Sequence, residues 1–155
     1  MWTSHLNASV LVANKNVIHA YIRTTQSQSA QPWMFTRIYG PPQPTPRMAF
    51  WQNFDNIITK PTISWLLMGD FSEVVAQHEK KRGRPVTNSQ VIIFNNFIND
   101  NALIDLGFQG DEYTWTNNQI ALDRGLVTQQ WIDNQPHALL KQLPRIGSDH
   151  APILL

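Results

Sequence analysis

The chain has 155 residues, with 12 Lys and Arg against 11 Asp and Glu and a formal net charge of +1. That length fits a single domain, and the charge balance excludes binding nucleic acid by bulk positive charge alone. Cysteine is absent, so disulfide frameworks, thiolate zinc sites and cysteine nucleophiles are excluded together. No apolar run approaches the ~20 residues of a membrane span. The opening Met-Trp-Thr-Ser-His lacks the basic region and apolar core of a signal peptide, so the sequence predicts a protein neither secreted nor membrane-bound.

In chain order, residues 10–12 and 17–22 read as two β segments around an Asn14-Lys15-Asn16 turn. A polar loop covers 24–32, and Trp33 to Tyr39 is a further strand that stops at a proline-rich loop over 40–46. The period then changes: Phe50, Trp51, Phe54, Ile57 and Ile58 share one face of a helix predicted over 47–59, ended by Lys60-Pro61. Residues 63–69 are apolar on both faces, as in a central strand. A polar, basic loop spans 77–85. Asn88 or Ser89 is placed to cap a helix that buries Val91, Ile92, Phe94, Phe97 and Ile98. Residues 102–108 leave that helix. A strand is predicted over 113–116 and another over 122–127, broken at Gly125; a helical turn follows at 129–132, and the chain closes on an apolar segment at 151–155. Strands and helices interleave, which predicts an α/β or mixed (α+β) architecture.

Five short segments could carry chemistry. In Gly69-Asp70-Phe71-Ser72 a carboxylate sits where a buried strand runs out, a place where α/β sheets bind ligands and metals; it is equally a strand-terminating turn. Ser148-Asp149-His150 sets an imidazole that can move a proton or stabilise charge near neutral pH beside a hard oxygen ligand suited to magnesium; it also reads as a turn with a surface histidine. Leu122-Asp123-Arg124 holds an acid that could orient a histidine or pair with Arg124. Tyr39, with Arg47 just beyond the proline loop, could hold phosphate oxygens, or be a core tyrosine and a surface arginine. Lys80-Lys81-Arg82-Gly83-Arg84-Pro85 resembles a nuclear-localisation patch and the core of a minor-groove AT-hook, and is also what a solvated loop looks like.

The order of these segments is far more specific than any one of them. Tyr39-Gly40-Pro41, Gly69-Asp70-Phe71, Tyr113-Thr114-Trp115, Leu122-Asp123-Arg124 and Ser148-Asp149-His150 together resemble the endonuclease/exonuclease/phosphatase superfamily. The likeness is greatest to the apurinic-type endonuclease domain of plant non-LTR (LINE) retrotransposons. Arg47-x-x-x-Trp51, Glu79-Lys80 and Asp105-Leu106-Gly107-Phe108 agree with it. The resemblance implies a DNase I-like fold, a two-sheet β-sandwich flanked by helices, that cuts DNA phosphodiester bonds with Mg2+ or Mn2+. His150 would be the catalytic histidine, Asp123 would hold its imidazole, and Asp149 would lie in the metal shell. Asp70 would position or activate the attacking water and Tyr39 would touch the scissile phosphate. Ser72, Arg47 and Trp115 would meet substrate, and Lys80, Lys81, Arg82 and Arg84 would make weaker DNA contacts.

The sequence also departs from that pattern. The family's opening Trp-Asn strand and its metal-binding Glu have no counterpart, so the expectation is a single partial domain over 1–155 that lacks its first strands. Ser72 stands for the usual Asn of Gly-Asp-x-Asn, and Ala121 stands where the family often has Arg. Without that Glu, the expected nuclease activity is small or nil, the alternative being a non-catalytic DNA-binding remnant. The expected partners are DNA and, in a parent polyprotein, an N-terminal segment or a reverse-transcriptase region; the expected location is nuclear.

Overall fold

The computed structural model describes residues 5–25, 30–76, 79, 87–109, 122–144 and 150–155. Strand β1 (Leu6–Ala13) pairs antiparallel with β2 (Val17–Thr24). The turn between them forms because the Asn14 carboxamide oxygen accepts from the backbone of Asn16 and of Val17, each at 2.9 Å. β1 is longer than the predicted segment, since its polar Asn7 and Ser9 continue the ladder on an exposed sheet edge as far as Leu6 opposite Thr24. Strand β3 (Trp33–Tyr39) continues the sheet antiparallel to β2.

Helix α1 (Pro44–Gln52) starts inside the proline loop, three residues before the predicted helix. Proline in the first turn is favourable, because its missing N–H has no intrahelical partner there and its φ is already helical. The helix also stops early, where the Asn53 side chain turns back to donate to the Ala49 carbonyl at 2.8 Å. The rest of the predicted helix is a 3₁₀ turn at Phe54–Asn56, which still delivers Phe54 and Ile58 to the core.

This α1 crossover lets β4 (Trp65–Asp70) lie parallel to β3. Helix α2 (Asn88–Asp100) is capped by Thr87, one residue before the predicted cap; the Thr87 backbone N–H donates to Gln90 Oε1 at 3.2 Å, as in a capping box. Residues 103–105, within the segment that leaves that helix, make a short edge strand β5 (Leu103–Asp105). Strand β6 (Asp123–Thr128) is not broken at Gly125, which pairs with Met68 in an uninterrupted ladder. The glycine answers a packing demand instead: a Cβ there would lie 3.3 Å from Leu140 Cδ2. Helix α3 (Gln129–Asn134) and the short strands β7 (Lys141–Gln142) and β8 (Ile153–Leu154) complete the described elements. The sheet order is β1-β2-β3-β4-β6-β5, with β7 and β8 forming a second, two-stranded sheet. The predicted strand over 113–116 lies outside the described residues.

One face of the large sheet meets α1 and α2 through an aromatic core of Phe50, Trp51, Phe54, Trp65, Phe71, Phe94 and Phe97. On the other face Leu66 and Val127 pack with Trp131 of α3. Among the described residues, no helix is long and apolar enough to cross a membrane.

A buried polar group crosses the central strands. Thr36 Oγ1 accepts from the Trp65 indole N–H at 2.7 Å and shares a 2.7 Å hydrogen bond with His19 Nδ1. His19 is 4% exposed, and burial lowers its pKa. As pH falls below about 6.5, the unfolded chain takes up a proton that folded His19 refuses. Stability is therefore full above that pH and declines below it, down to the depressed folded value. The wild-type melting temperature should drop between about pH 6.5 and 5 more steeply than that of His19→Gln; equal slopes would show that His19 is not the group responsible.

Candidate active site at one end of the large sheet

Three strands bring their functional residues to the same end of the sheet. Tyr39 closes β3, Asp70 closes β4 and Asp123 opens β6; Tyr39 is in register with Asp70, and Asp70 with Asp123. Two glycines allow the strand ends to come this close. Gly69 has φ +137°, and a Cβ on it would stand 2.2 Å from the Ile38 carbonyl oxygen. A Cβ on Gly40 would stand 2.3 Å from the Phe71 carbonyl oxygen, while Gly40 N donates to Asp70 O at 2.7 Å.

Beyond the strand, the Asp70 carboxylate folds the chain over itself. Its Oδ1 accepts from the Ser72 backbone N–H at 2.7 Å, and the Ser72 hydroxyl lies 3.1 Å from both that oxygen and the Gly40 carbonyl. Ser72 adopts a left-handed φ of 55°, a conformation asparagine accepts more readily than most residues. This gives a backbone reason for the Asn that the resemblance expects here. Burial raises the pKa of Asp70 and the negative charge of Asp123 raises it further; the Ser72 hydrogen bonds and His150 oppose both.

His150 Nδ1 lies 3.1 Å from Asp123 Oδ2. The carboxylate is nearly enclosed, its side chain 11% exposed, whereas the imidazole is 34% exposed. A buried acid behind a half-open imidazole fixes the tautomer and the ring plane. Tyr39 is 44% exposed. Its backbone is clamped by Asn16 of the β1–β2 turn, which donates its amide N–H to Tyr39 O at 2.6 Å and accepts from Tyr39 N at its own carbonyl at 2.8 Å. The sequence shows only a turn at Asn16; the tie to Tyr39 spans 23 positions and leaves no local signature.

Tyr39, Asp70, Ser72, Asp123 and His150 thus come together. Arg47 stands beside them with its Nε donating to Glu73 Oε1 at 2.7 Å and its Nη1 to the Pro42 carbonyl at 3.0 Å. Glu73 is buried at 3% exposure; burial raises its pKa and Arg47 pulls it back down. Glu79 is held by Arg124, and Arg124 also reaches Asp105. Asp55 lies away from the strand ends, lining a groove of about 260 Å³ between α1 and α2 with Asp100. Asp149, Trp115, Lys80, Lys81, Arg82 and Arg84 lie outside the described residues.

No family model and no curated protein matches the sequence. Solved structures do. The endonuclease domain of TRAS1, a telomere-specific non-LTR retrotransposon, is 17% identical and superposes with a TM-score of 0.65 over 96% of this chain and 64% of that one. The inositol polyphosphate 5-phosphatase domain of SPsynaptojanin, solved with inositol (1,4)-bisphosphate and calcium ion, is 12% identical, with a TM-score of 0.52 over 96% of this chain and 52% of that one. An endonuclease/exonuclease/phosphatase family protein from Bacteroides thetaiotaomicron is 11% identical, with a TM-score of 0.47 over 88% of this chain and 54% of that one. These likenesses show the fold, which is DNase I-like: a large mixed sheet flanked by helices. The chain spans less than two thirds of the length of each of these proteins.

Proposed function

We propose that the chain is a phosphodiester-cleaving, DNA endonuclease-type domain derived from a LINE-like retrotransposon, of the plant type that its motif spellings resemble. The observation that carries this reading is the Asp123–His150 pair, 3.1 Å apart, Asp123 standing in register with Asp70 and Asp70 with Tyr39 at one end of the sheet. Asp123 holds Nδ1, so Nε2 is the imidazole nitrogen that meets the phosphate, donating to it or taking a proton from it. Asp70, whose pKa is raised by burial and by the Asp123 charge, accepts a proton from the attacking water and orients it. The Tyr39 hydroxyl steadies a non-bridging phosphate oxygen.

Magnesium would belong to such a reaction, with Asp149 in its shell by resemblance. The described residues alone do not fit the ion: no group of three or more acidic or histidine side chains among them could hold a metal, and Glu73 and Glu79 are each held by an arginine. Near-octahedral oxygen ligation would need carboxylates beyond those described, Asp149 first among them by resemblance, and the expected cleavage by this chain is slow.

Supercoiled plasmid provides the test. With Mg2+, the purified chain should convert it slowly to open circles, and His150→Ala and Asp123→Asn should each lower the rate about a hundredfold or more. Nicking that survives both substitutions would refute the assignment. Unchanged DNA affinity in a chain that never nicks would favour the non-catalytic DNA-binding reading.

A further inference from the structure

The proposed reaction brings an anion to a place crowded with carboxylates, and the nearby cations are mostly engaged. Arg47 is bound to Glu73, and Arg124 to Glu79 and Asp105. Arg37 differs. It lies two residues before Tyr39 on β3, so the two side chains emerge from the same face. Its guanidinium carbon stands 5.5 Å from the centre of the Tyr39 ring, within the range of an attractive cation–π contact. Arg37 is exposed, and no carboxylate lies within ion-pair distance of it among the described residues. Its register partner on β4 is Met68, two residues before Asp70 on the same face.

We propose that Arg37 is a phosphate-binding residue of this site, gripping the nucleic-acid backbone next to the phosphate that Tyr39 meets; the inference rests on the nuclease reading above. The chemistry favours arginine in this place. A planar guanidinium can lie on an aromatic ring and still present its N–H edge to two oxygens of one phosphodiester. The ring holds the group in place before DNA arrives, which lowers the entropy lost on binding. The positive charge offsets the repulsion between phosphate and the Asp70 and Asp123 carboxylates. None of the sequence motifs marked this position, because it falls between motif residues on an ordinary strand.

The fold supplies its own control. Arg23 on β2 makes the same kind of contact, 5.6 Å from the centre of the Tyr21 ring. It sits at the other end of the sheet, beside the Thr24 terminus of β2. Losing either arginine changes the net charge equally, so only position separates them. Binding of a fluorescent 20-base-pair duplex to the purified chain, followed by anisotropy in EDTA across a salt series, should weaken about tenfold in Arg37→Ala and lose about one unit of slope in log K against log salt. Arg37→Lys should keep the slope and lose part of the affinity. Arg23→Ala should match wild type. Equal losses in Arg23→Ala and Arg37→Ala, or an unchanged slope in Arg37→Ala, would overturn the proposal. The readout is binding without cleavage, so it stands or falls separately from the nicking result for His150 and Asp123.

Discussion

Trp51→Ala should destabilise the chain by about 3–5 kcal/mol, a large part of the ~5–15 kcal/mol that holds a domain folded. Trp51 is 4% exposed and lies among five aromatic rings. Phe50, Phe94 and Phe97 have their centroids within 4.9 Å of it, and Phe54 and Phe71 lie at 5.8 and 5.7 Å. The residue joins α1 to α2, and it stacks on Phe71 with the two planes only 9° apart. Phe71 follows Asp70 directly, so the cavity would open beneath the candidate site. Trp51→Phe should cost much less than the volume change suggests. Among the described residues the buried Trp51 indole N–H has no hydrogen-bond partner, and phenylalanine removes that donor. Urea unfolding of the three proteins measures both effects. A loss below about 1 kcal/mol in Trp51→Ala would mean that the aromatic cluster is not the centre of the core.

The parts of the fold legible in the sequence were those written in periodicity and in strand-end chemistry. The apolar run before Gly69 announces β4, and helical spacing announces the buried Phe50 and Trp51 of α1 and Phe94 and Phe97 of α2; Ile92, expected on that buried side, is 55% exposed, and Ile93 packs against the core in its place. Tyr39, Asp70 and Asp123 lie tens of residues apart, yet each stands at a strand end, where sequence punctuation is strong. Boundaries were less legible because local signals compete there. Four prolines over 40–46 read as a loop, although two of them start α1. Asn53 closes the helix by a side-chain bond that no apolar pattern encodes. Gly125 looked like a break because glycine often is one; here it makes room for Leu140.

Partnerships were the least legible feature. Arg47 in the sequence suits a phosphate, and the structure gives it the buried Glu73, 26 residues away. Asp123 and Arg124 are neighbours in sequence, but adjacent strand residues face opposite ways. One turns to His150 and the other crosses to the helical side, 5.9 Å from the Phe94 ring. A sequence can show that an acid and an arginine are present; only the register decides whether they meet.

That division makes Arg124 a structural counterpart to Asp123, and its removal should be costly. Its Nη1 donates to Asp105 Oδ2 at 2.7 Å and its Nη2 to Glu79 Oε2. Its side chain is 5% exposed, Glu79's 15% and Asp105's 35%. Burial opposes the charge of Arg124, and the two carboxylates more than compensate, raising its pKa. Glu79 Oε2 also accepts from the Val75 backbone at 2.8 Å, and Asp105 Oδ1 from Gly107 N at 2.9 Å, so one guanidinium fastens two chain turns to β6. Arg124→Met should cost about 3 kcal/mol, chiefly because Glu79 would be left charged and enclosed; Asp105, a third exposed and screened by water, adds little. Glu79→Gln should be milder. The double variant should be more stable than the sum of the two single losses predicts, because methionine and a neutral amide no longer strand a charge. Losses that add to within about 0.5 kcal/mol in a double-mutant cycle would show that the two groups do not depend on each other. The coupling should also persist in high salt, since a pair this enclosed is little screened, whereas a surface contact of the same length would fade.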